Sequence, residues 1–366
     1  MRVPLPVVLF ALLVAAVAHA QTGLLVGVDD DLAKWLRSPR APLSVERALG
    51  LRAVRFSVPW QQGESTLSAS ERTELSRAVT AAYGIRVVLS VTGPARDAPR
   101  DDASRDQYCT FVRGLLEQFP TVNDVVIWNE PNSGAFWSPQ AGAPVQYEAL
   151  LARCWDVLHA YRPGVNVIDS TAPHAKGKSS TAPAVFIRGI GKAYRASGRT
   201  QRILDTVGHH PYPETDAESP AHTHPRSSSI DEGDLGKLTA ALRDAFKGTS
   251  QPLPGSGGVT IWYLEDGFQS SVPSDEAAPY RGVENDRRAV DPAAQAEQLG
   301  AAVRLAYCQP NVAAFFNFQL VDERDLAGWQ SGILFADGSQ KPAYAKLART
   351  VAAVNSGTVS CAPLVR

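Results

Sequence analysis

The feature that most constrains the fold is a repeated alternation of short apolar segments, rich in β-branched residues, with longer segments of helical periodicity. Parallel strands need such crossover helices between them. Eight segments have strand character: Leu24–Val28, Val54–Val58, Arg86–Val91, Asp124–Trp128, Val165–Asp169, Leu204–Gly208, Val259–Leu264 and Ala313–Phe318. The clearest helical patterns are Ser104–Phe119, Gln146–Tyr161, Leu235–Phe246 and Ala293–Tyr307. This alternation predicts an α/β fold, a single-domain (β/α)₈ TIM barrel with its active site at the carboxyl ends of the strands.

Composition agrees with one barrel domain, which we expect to span residues 21–366, and it restricts the partners. Apolar residues make up 44% of the chain, enough for a large core, and no linker or low-complexity run divides it. The 36 basic and 37 acidic residues balance, so neither nucleic acid nor an anionic membrane surface is an expected partner. We expect a monomer with an uncharged ligand.

Residues 1–20 have the pattern of a secretory signal peptide. An apolar stretch runs to Val17, and Ala18-His19-Ala20 offers a small-x-small cleavage site. A membrane anchor is the alternative, but the stretch is shorter than the ~20 residues that span a bilayer. We therefore expect cleavage before Gln21 and a secreted or periplasmic protein that is not membrane-bound.

Two of the predicted strands end on a glutamate. The run Asp124–Asn132 stops on Asn129 and Glu130 before a proline, and the run Val259–Phe268 stops on Glu265 before Asp-Gly. These are strands four and seven of the predicted barrel, so both glutamates would lie at its catalytic face. Glycoside hydrolysis requires two carboxyl groups that flank the scissile bond. The alternative is that Asn129 and Glu130 only begin a loop and cap the next helix.

The segment Trp128-Asn129-Glu130-Pro131-Asn132 resembles a motif of clan A of the retaining glycoside hydrolases, which includes the family 5 cellulases and mannanases and the family 39 xylosidase-like enzymes. The resemblance extends over essentially the whole mature chain. It implies that Glu130 is the general acid/base, that Glu265 is the nucleophile and that Asn129 contacts the sugar 2-hydroxyl. It also implies a β-glycosidase that hydrolyses a polysaccharide or oligosaccharide.

The expected reaction is a double displacement with retention of anomeric configuration. It needs carboxyl groups about 5–5.5 Å apart, against about 6.5–9.5 Å in an inverting enzyme. The charge of Glu265 would help Glu130 to keep its proton, and loss of that charge in a glycosyl ester would let Glu130 act as a base. The alternatives are an inverting hydrolase, a transglycosylase that uses the same residues, and a barrel that binds carbohydrate without catalysis.

Three polar residues on other strands are candidates for supporting roles. Arg55 lies within an otherwise apolar strand, so its charge needs a partner. The resemblance implies that it hydrogen-bonds the nucleophile; the alternative is a pair with a surface carboxylate. His210-Pro-Tyr212 resembles the clan's His-x-Tyr element, whose Tyr approaches the nucleophile, although His209 makes the register ambiguous.

Aromatic side chains in loops at the catalytic face are candidates for stacking on sugar rings. Trp60 and Trp137 follow strands two and four, and we expect both to form substrate subsites. Trp262, inside strand seven, is expected in the core. Many clan members have a Trp on strand eight, but this chain has none there, and Trp329 in the following loop is the candidate substitute.

Export gives the four cysteines a structural meaning, because disulfides persist in oxidising compartments. Cys109 and Cys154 lie in the helices before and after strand four, which are neighbours in a barrel. Cys308 ends the helix before strand eight, and Cys361 lies in the terminal segment. We predict the pairs Cys109–Cys154 and Cys308–Cys361; four buried free thiols are the alternative.

No cofactor or metal is expected. His209, His210, His222 and His224 could be drawn as a metal site, and His-x-His can chelate, but the clan needs no metal. The run Asp29-Asp30-Asp31 could bind a sugar hydroxyl or Ca²⁺. Capping the helix that begins near Leu32 is the favoured role of that run.

Overall fold

The computed structural model describes residues 23–175, 177–284 and 289–362. The predicted signal peptide, residues 1–20, lies outside these ranges and stays a prediction. Among the described residues, no helix combines the length and apolarity needed to cross a bilayer.

Eight parallel strands form a closed barrel in chain order, and the first strand pairs with the eighth. They are β1 (Leu25–Asp29), β2 (Ala53–Pro59), β3 (Arg86–Thr92), β4 (Asp124–Ile127), β5 (Asn166–Ile168), β6 (Thr206–His209), β7 (Thr260–Asp266) and β8 (Val312–Phe318). The (β/α)₈ prediction is confirmed. Every predicted strand is present, and no strand boundary differs from the prediction by more than two residues.

Helices follow or precede the strands around the outside of the barrel. They are α1 (Leu32–Trp35), α2 (Arg40–Ala48), α3 (Ala69–Ala81), α4 (Asp102–Gln118), α5 (Ala143–Tyr161), α6 (Pro183–Ser197), α7 (Leu235–Phe246), α8 (Pro292–Cys308) and α9 (Pro342–Ser356). Short 3₁₀ turns occur at Ala95–Asp97, Gly177–Ser179 and Glu232–Asp234. The largest departure among the four predicted helices is that α5 begins at Ala143 rather than at Gln146.

Local sequence explains where several helices begin. Ser68 and Glu71 form a capping box at α3, in which each side chain accepts the other's backbone N–H. Asp291 accepts the N–H groups of Ala293 and Ala294 at the start of α8. Pro292 follows at the first helical position, where its missing N–H costs nothing.

The apolar core has two layers. A small cluster fills the barrel itself, and its largest members are Trp262 and Phe316. A larger cluster lies between the strands and the surrounding helices. Trp262 is 4% exposed, which confirms its predicted place in the core, and the Arg86 guanidinium lies 5.0 Å from its ring centre. The interior is therefore packed, and an accessible site has to be built at a mouth of the barrel.

Two disulfides connect elements that are neighbours in the barrel. Cys109 on α4 bonds to Cys154 on α5, and Cys308 at the end of α8 bonds to Cys361 in the C-terminal segment. The Cα atoms are 4.9 and 5.4 Å apart, inside the normal range. Both pairings are the predicted ones.

Candidate active site

The carboxyl ends of the strands bring four charged side chains together. Asp29 ends β1, Arg55 lies within β2, and Glu265 is the penultimate residue of β7. Glu130 lies just beyond the end of β4. This is the mouth of the barrel that the sequence analysis predicted for the site.

The backbone after β4 adopts a conformation that non-glycine residues rarely take. The φ angles of Trp128 and Glu130 are 65° and 39°, both in the left-handed region. The Trp128 N–H donates to the Val91 carbonyl and to the Tyr108 hydroxyl, and the Glu130 N–H donates to Ser170 Oγ at 3.2 Å. Tertiary contacts therefore hold this turn against local preference, as is common at functional sites.

Glu265 is surrounded by donors that favour its ionised form. Arg55 Nη1 lies 2.7 Å from Oε1, and the Tyr212 hydroxyl donates to Oε2 at 3.2 Å. Burial alone would raise the pKa of Glu265. The charges of His210 and Arg55, with hydrogen bonds from Arg55 and Tyr212, outweigh burial and hold the pKa below the ordinary Glu value. The side chain is therefore a carboxylate at neutral pH.

Arg55 connects the glutamate to its surroundings. Besides Glu265, its Nη1 contacts Asp29 Oδ2, and its Nη2 donates to Ser90 Oγ at 2.8 Å and to Asn129 Oδ1 at 3.2 Å. The Arg55 side chain is 2% exposed, so all these bonds form away from water. Arg55 is paired with carboxylates inside the barrel mouth, and its alternative role at the surface is excluded.

His210 lies between the two glutamates. Its Nδ1 is 2.9 Å from Glu130 Oε1 and 3.4 Å from Glu265 Oε2, and its Nε2 is 3.2 Å from Ser170 Oγ. A carboxylate oxygen of Glu130, one of Glu265 and a ring nitrogen of His210 all lie within 4.8 Å of one another. The two glutamates predicted from separate strands therefore meet across one histidine.

His209 has a different environment, which resolves the ambiguity between the adjacent histidines. Its Nδ1 lies 2.8 Å from Thr171 Oγ1, and its Nε2 lies 2.7 Å from the Ile230 carbonyl. Burial lowers the pKa of His209 to about 4. His209 is thus a neutral residue that supports the loop after β6, and His210 is the one at the site.

An open cleft of about 560 Å³ leads to the two glutamates. Asn129, Glu130, Tyr212 and Glu265 are among the residues that line it. Aromatic side chains from three loops or strand ends complete the walls: Phe136, Phe318 and Trp329. The Trp329 ring centre lies 5.4 Å from that of Tyr212 and 5.2 Å from that of Phe318. Trp329 therefore lies in the cleft, where the sequence analysis expected an aromatic substitute for the missing Trp of strand eight.

Trp60 and Trp137 are not in the cleft, and the expectation that they form subsites is corrected. Both are 0% exposed, and Trp128 packs against each of them, at ring-centre distances of 6.2 and 5.9 Å. Tyr108 and Tyr147 extend this aromatic cluster on its two sides. Trp60 and Trp137 therefore pack between Trp128 and tyrosines of α4 and α5. They support the turn that carries Glu130 and do not face the cleft.

The acidic run at the end of β1 has several structural roles. Asp29 pairs with Arg55, a contact that the sequence analysis did not assign. Asp30 Oδ1 accepts the N–H of Leu32, the first residue of α1, at 2.6 Å, whereas Asp31 at the N-cap position makes no side-chain capping hydrogen bond. Asp31 accepts the Ser57 N–H and pairs with Lys34. Burial, partly offset by Arg55, raises the pKa of Asp29 well above its ordinary value.

The chain is a (β/α)₈ barrel with a paired-carboxylate site at the carboxyl end of its strands, and solved structures with the same fold include several glycosidases. The sequence itself matches no protein-family model and no curated protein. β-Glycosidase BGL167 aligns with a TM-score of 0.58 at 14% identity, over 93% of this chain and 98% of that one. The family 1 β-glucosidase from Thermotoga maritima gives 0.57 at 14% identity, over 91% and 98%. Exo-β-1,4-mannosidase Op5Man5 from Opitutaceae bacterium strain TAV5 gives 0.57 at 14% identity, over 92% and 60%. At these identities the likeness establishes the fold.

Proposed function

We propose that this protein is a secreted retaining β-glycosidase that hydrolyses O-glycosidic bonds of a polysaccharide or oligosaccharide. The observation that carries the proposal is the meeting of Glu130 and Glu265 in an open cleft, with carboxylate oxygens within 4.8 Å of each other. This upper bound, between one oxygen of each carboxylate, is compatible with the about 5–5.5 Å between carboxyl groups of retaining enzymes and lies below the about 6.5–9.5 Å of inverting enzymes.

In the first step, a Glu265 oxygen attacks the anomeric carbon while Glu130 protonates the departing glycosidic oxygen. The C–O bond to the leaving group breaks, and a glycosyl ester of Glu265 forms. In the second step, Glu130 removes a proton from water, and the water oxygen displaces Glu265 from the anomeric carbon. Two inversions give net retention, and both glutamates return to their starting forms.

The assignment of the two roles rests on the different partners of the two glutamates. Arg55 and Tyr212 stabilise the Glu265 carboxylate, which is the form that attacks. Glu130 receives no contact from Arg55 in the hydrogen bonds and ion pairs of the described residues; it lies against His210. His210 is fully buried and is itself held by Ser170, so it is suited to fixing the orientation of Glu130.

The shape of the cleft supports a carbohydrate substrate. Sugar rings have apolar faces that stack on flat side chains, and Trp329, Phe318 and Phe136 supply such surfaces beside the glutamates. Asn129 lines the cleft next to Glu130, which suits the contact with a sugar 2-hydroxyl implied by the clan resemblance. The solved glycosidases of the same fold add to this support.

Export to an oxidising compartment is part of the proposal. Both pairs of cysteines are disulfide-bonded, and disulfides persist outside the reducing cytosol. The signal-peptide pattern of residues 1–20 supports the same location. The substrate would then be an extracellular or periplasmic glycan.

The test is product release by the mature protein across a panel of β-linked glucans, mannans, xylans, galactans, bacterial exopolysaccharides and aryl glycosides. Glu265→Gln removes the nucleophile with little change of shape. Glu297→Gln is the matched control, because Glu297 is an exposed glutamate on α8 that pairs with Lys346.

We expect turnover of at least one substrate by the wild type and by the control, and none by Glu265→Gln. Binding without turnover in all three proteins would instead indicate a carbohydrate-binding barrel. Product lengths will distinguish attack within a chain from attack at its end. A glycosyl acceptor that takes the sugar in place of water would identify a transglycosylase.

A further inference from the structure

The loop between β6 and α7 contains three potential metal ligands that the candidate active site does not use. Glu218, His222 and His224 each offer one donor atom, and the three atoms lie within 4.8 Å of one another. Glu218 Oε1 lies 3.1 Å from His224 Nε2 and 3.6 Å from His222 Nε2. Ligands at about 2.0–2.1 Å from a tetrahedral Zn²⁺ lie roughly 3.3 Å from one another. The observed separations fall on either side of that value.

A neighbouring carboxylate fixes the orientation of His224. Its Nδ1 lies 2.9 Å from Asp234 Oδ2, and Asp234 Oδ1 accepts the His224 backbone N–H at 3.0 Å. Nε2 faces the Glu218 carboxylate, which accepts a hydrogen bond from it, while Nδ1–H donates to Asp234. A metal at this point would replace the Nε2 proton and leave the Nδ1–H bond to Asp234 in place. A histidine held by a carboxylate on its far nitrogen is the usual arrangement of a zinc ligand.

The surroundings carry buried acceptors that have no hydrogen-bond partner. A small cavity beside the ligands is lined by Glu218, His222 and His224 and also by Asp231, Glu232 and Asp266. Oxygens of Glu232 and Asp266 are buried without a hydrogen-bond partner among the described residues, and these residues are at most 2% exposed. The Oε2 atom of Glu218 is also buried without a hydrogen-bond partner in the part of the chain that the structure describes. Burial raises the pKa of Glu232 and of Asp266 well above the ordinary values and favours their neutral forms, so the unpaired oxygen of Glu218 is the one that favours a bound cation.

We propose that Glu218, His222 and His224 bind one Zn²⁺ ion, with a water molecule as the fourth ligand. Two imidazoles and one carboxylate suit Zn²⁺, whereas Ca²⁺ and Mg²⁺ prefer oxygen ligands alone. The His222 side chain is 55% exposed, so the fourth position can be reached from solvent. This site departs from the sequence-based expectation that the protein has no metal.

The metal would stabilise one wall of the cleft. Glu214, Thr215 and Asp216, which precede the proposed ligands in the same loop, line the cleft. Zinc would tie residues 218–224 into one unit, which Asp234 anchors at the start of α7. The three ligands are distinct from Glu130, His210 and Glu265, so the ion takes no part in the glycosidic chemistry and the proposal stands apart from the proposed function.

The experiment is Zn²⁺ titration of the tag-free, EDTA-treated mature protein by calorimetry, with thermal unfolding and Co²⁺ absorption spectra as further readouts. We expect one Zn²⁺ per chain, a higher melting temperature with Zn²⁺ but not with Mg²⁺ or Ca²⁺, and a tetrahedral Co²⁺ spectrum. His222→Ala, at an exposed position, should weaken binding by at least about 100-fold without unfolding the protein. Asp234→Asn should weaken it about 10–100-fold.

His159→Ala is the control, because His159 lies on α5 and pairs with Asp205, away from the loop. It should bind Zn²⁺ like the wild type. Equal affinity in the wild type and His222→Ala would overturn the proposal. So would the absence of stoichiometric binding together with an unchanged melting temperature, which would make His224 a protonated residue held by Glu218, Asp231 and Asp234.

Discussion

Replacing Arg55 by Lys keeps the positive charge but removes the planar fork that holds Glu265. Arg55 uses Nη1 for Asp29 and Glu265, and Nη2 for Ser90 and Asn129. A single ammonium group at the Nη1 position can keep the two carboxylates, but it cannot also reach Ser90 and Asn129. The variant therefore separates the charge of Arg55 from its geometry.

The expected losses follow from the contacts. Two hydrogen bonds from a charged donor disappear, at about 1.5 kcal/mol each from the low end of the usual range, so unfolding free energy should fall by about 3 kcal/mol. Arg55 is buried, and solvent screening does not reduce this figure. The Nη2 bonds to Ser90 and Asn129 fix the position of the charge that holds Glu265. Without them Glu265 can shift, and a misplacement of about 1 Å at a reacting group lowers kcat/KM about 100-fold.

The assays are urea unfolding and kcat/KM on the best substrate of the panel. Arg86→Lys is the control, because Arg86 also uses two guanidinium nitrogens across neighbouring strands, Nε and Nη2 at 2.7 Å each from Asp124, at the first residues of β3 and β4. It should lose some stability and no activity. A folded Arg55→Lys variant with the kcat/KM of the wild type would refute the claim that this fork positions the nucleophile.

Three further outcomes are expected. Glu130→Ala should lose hydrolysis of natural glycans but keep a burst with dinitrophenyl glycosides, whose leaving group needs no proton, and azide should restore turnover; equal loss on both substrates would contradict its acid role. Burial raises the pKa of Glu265, but His210, Arg55 and Tyr212 together lower it by more, so the pKa lies below the ordinary Glu value. We therefore expect kcat/KM to decline only as pH falls below about 4.3, where the carboxylate becomes protonated. Arg55→Met should move this acid limb to higher pH, and an unmoved limb would mean that another group sets it. Removing the Cys308–Cys361 disulfide, which closes a separation of 53 residues, should lower unfolding free energy by about 4 kcal/mol in urea titrations; a loss below about 1 kcal/mol would contradict the loop-entropy argument.

The barrel could be predicted from sequence because its signals are local. Strands buried on both faces are continuous apolar runs, such as Val125 to Ile127, and the helices between them have a different period. Order along the chain then determines which strand is fourth and which is seventh. Because all strands of the barrel are parallel, Glu130 and Glu265 lie at the same end of it. The disulfide pairings followed from the same order, since Cys109 and Cys154 lie on consecutive helices.

The aromatic residues show where this reasoning fails. Trp60 and Trp137 follow strands at the correct end of the barrel, but their exposure depends on how each loop folds back, which is a tertiary property. Trp128, between them, collects both rings into one buried cluster. A single sequence contains no signal that distinguishes a loop Trp that packs inward from one, such as Trp329, that faces the cleft.

The partners of the polar side chains across the barrel could not be predicted from the sequence either. Asp29 could be interpreted as a helix cap because Leu32 follows closely, whereas its main partner, Arg55, lies on the next strand. The choice of His210 over His209 depended on which ring faces the centre of the barrel. In the loop after β6, the relation of His224 to Asp234 appears only when the backbone brings residues ten positions apart into contact.

The central claim is that Glu265 forms the covalent intermediate while Glu130 transfers the protons. The most direct measurement is peptide mapping of the enzyme after reaction with a 2-deoxy-2-fluoro glycoside of the sugar that the substrate panel identifies. The account predicts a single glycosyl ester, located on Glu265, in the wild type and no ester in Glu265→Gln. An ester on another residue, or steady turnover from which no ester can be trapped, would contradict it.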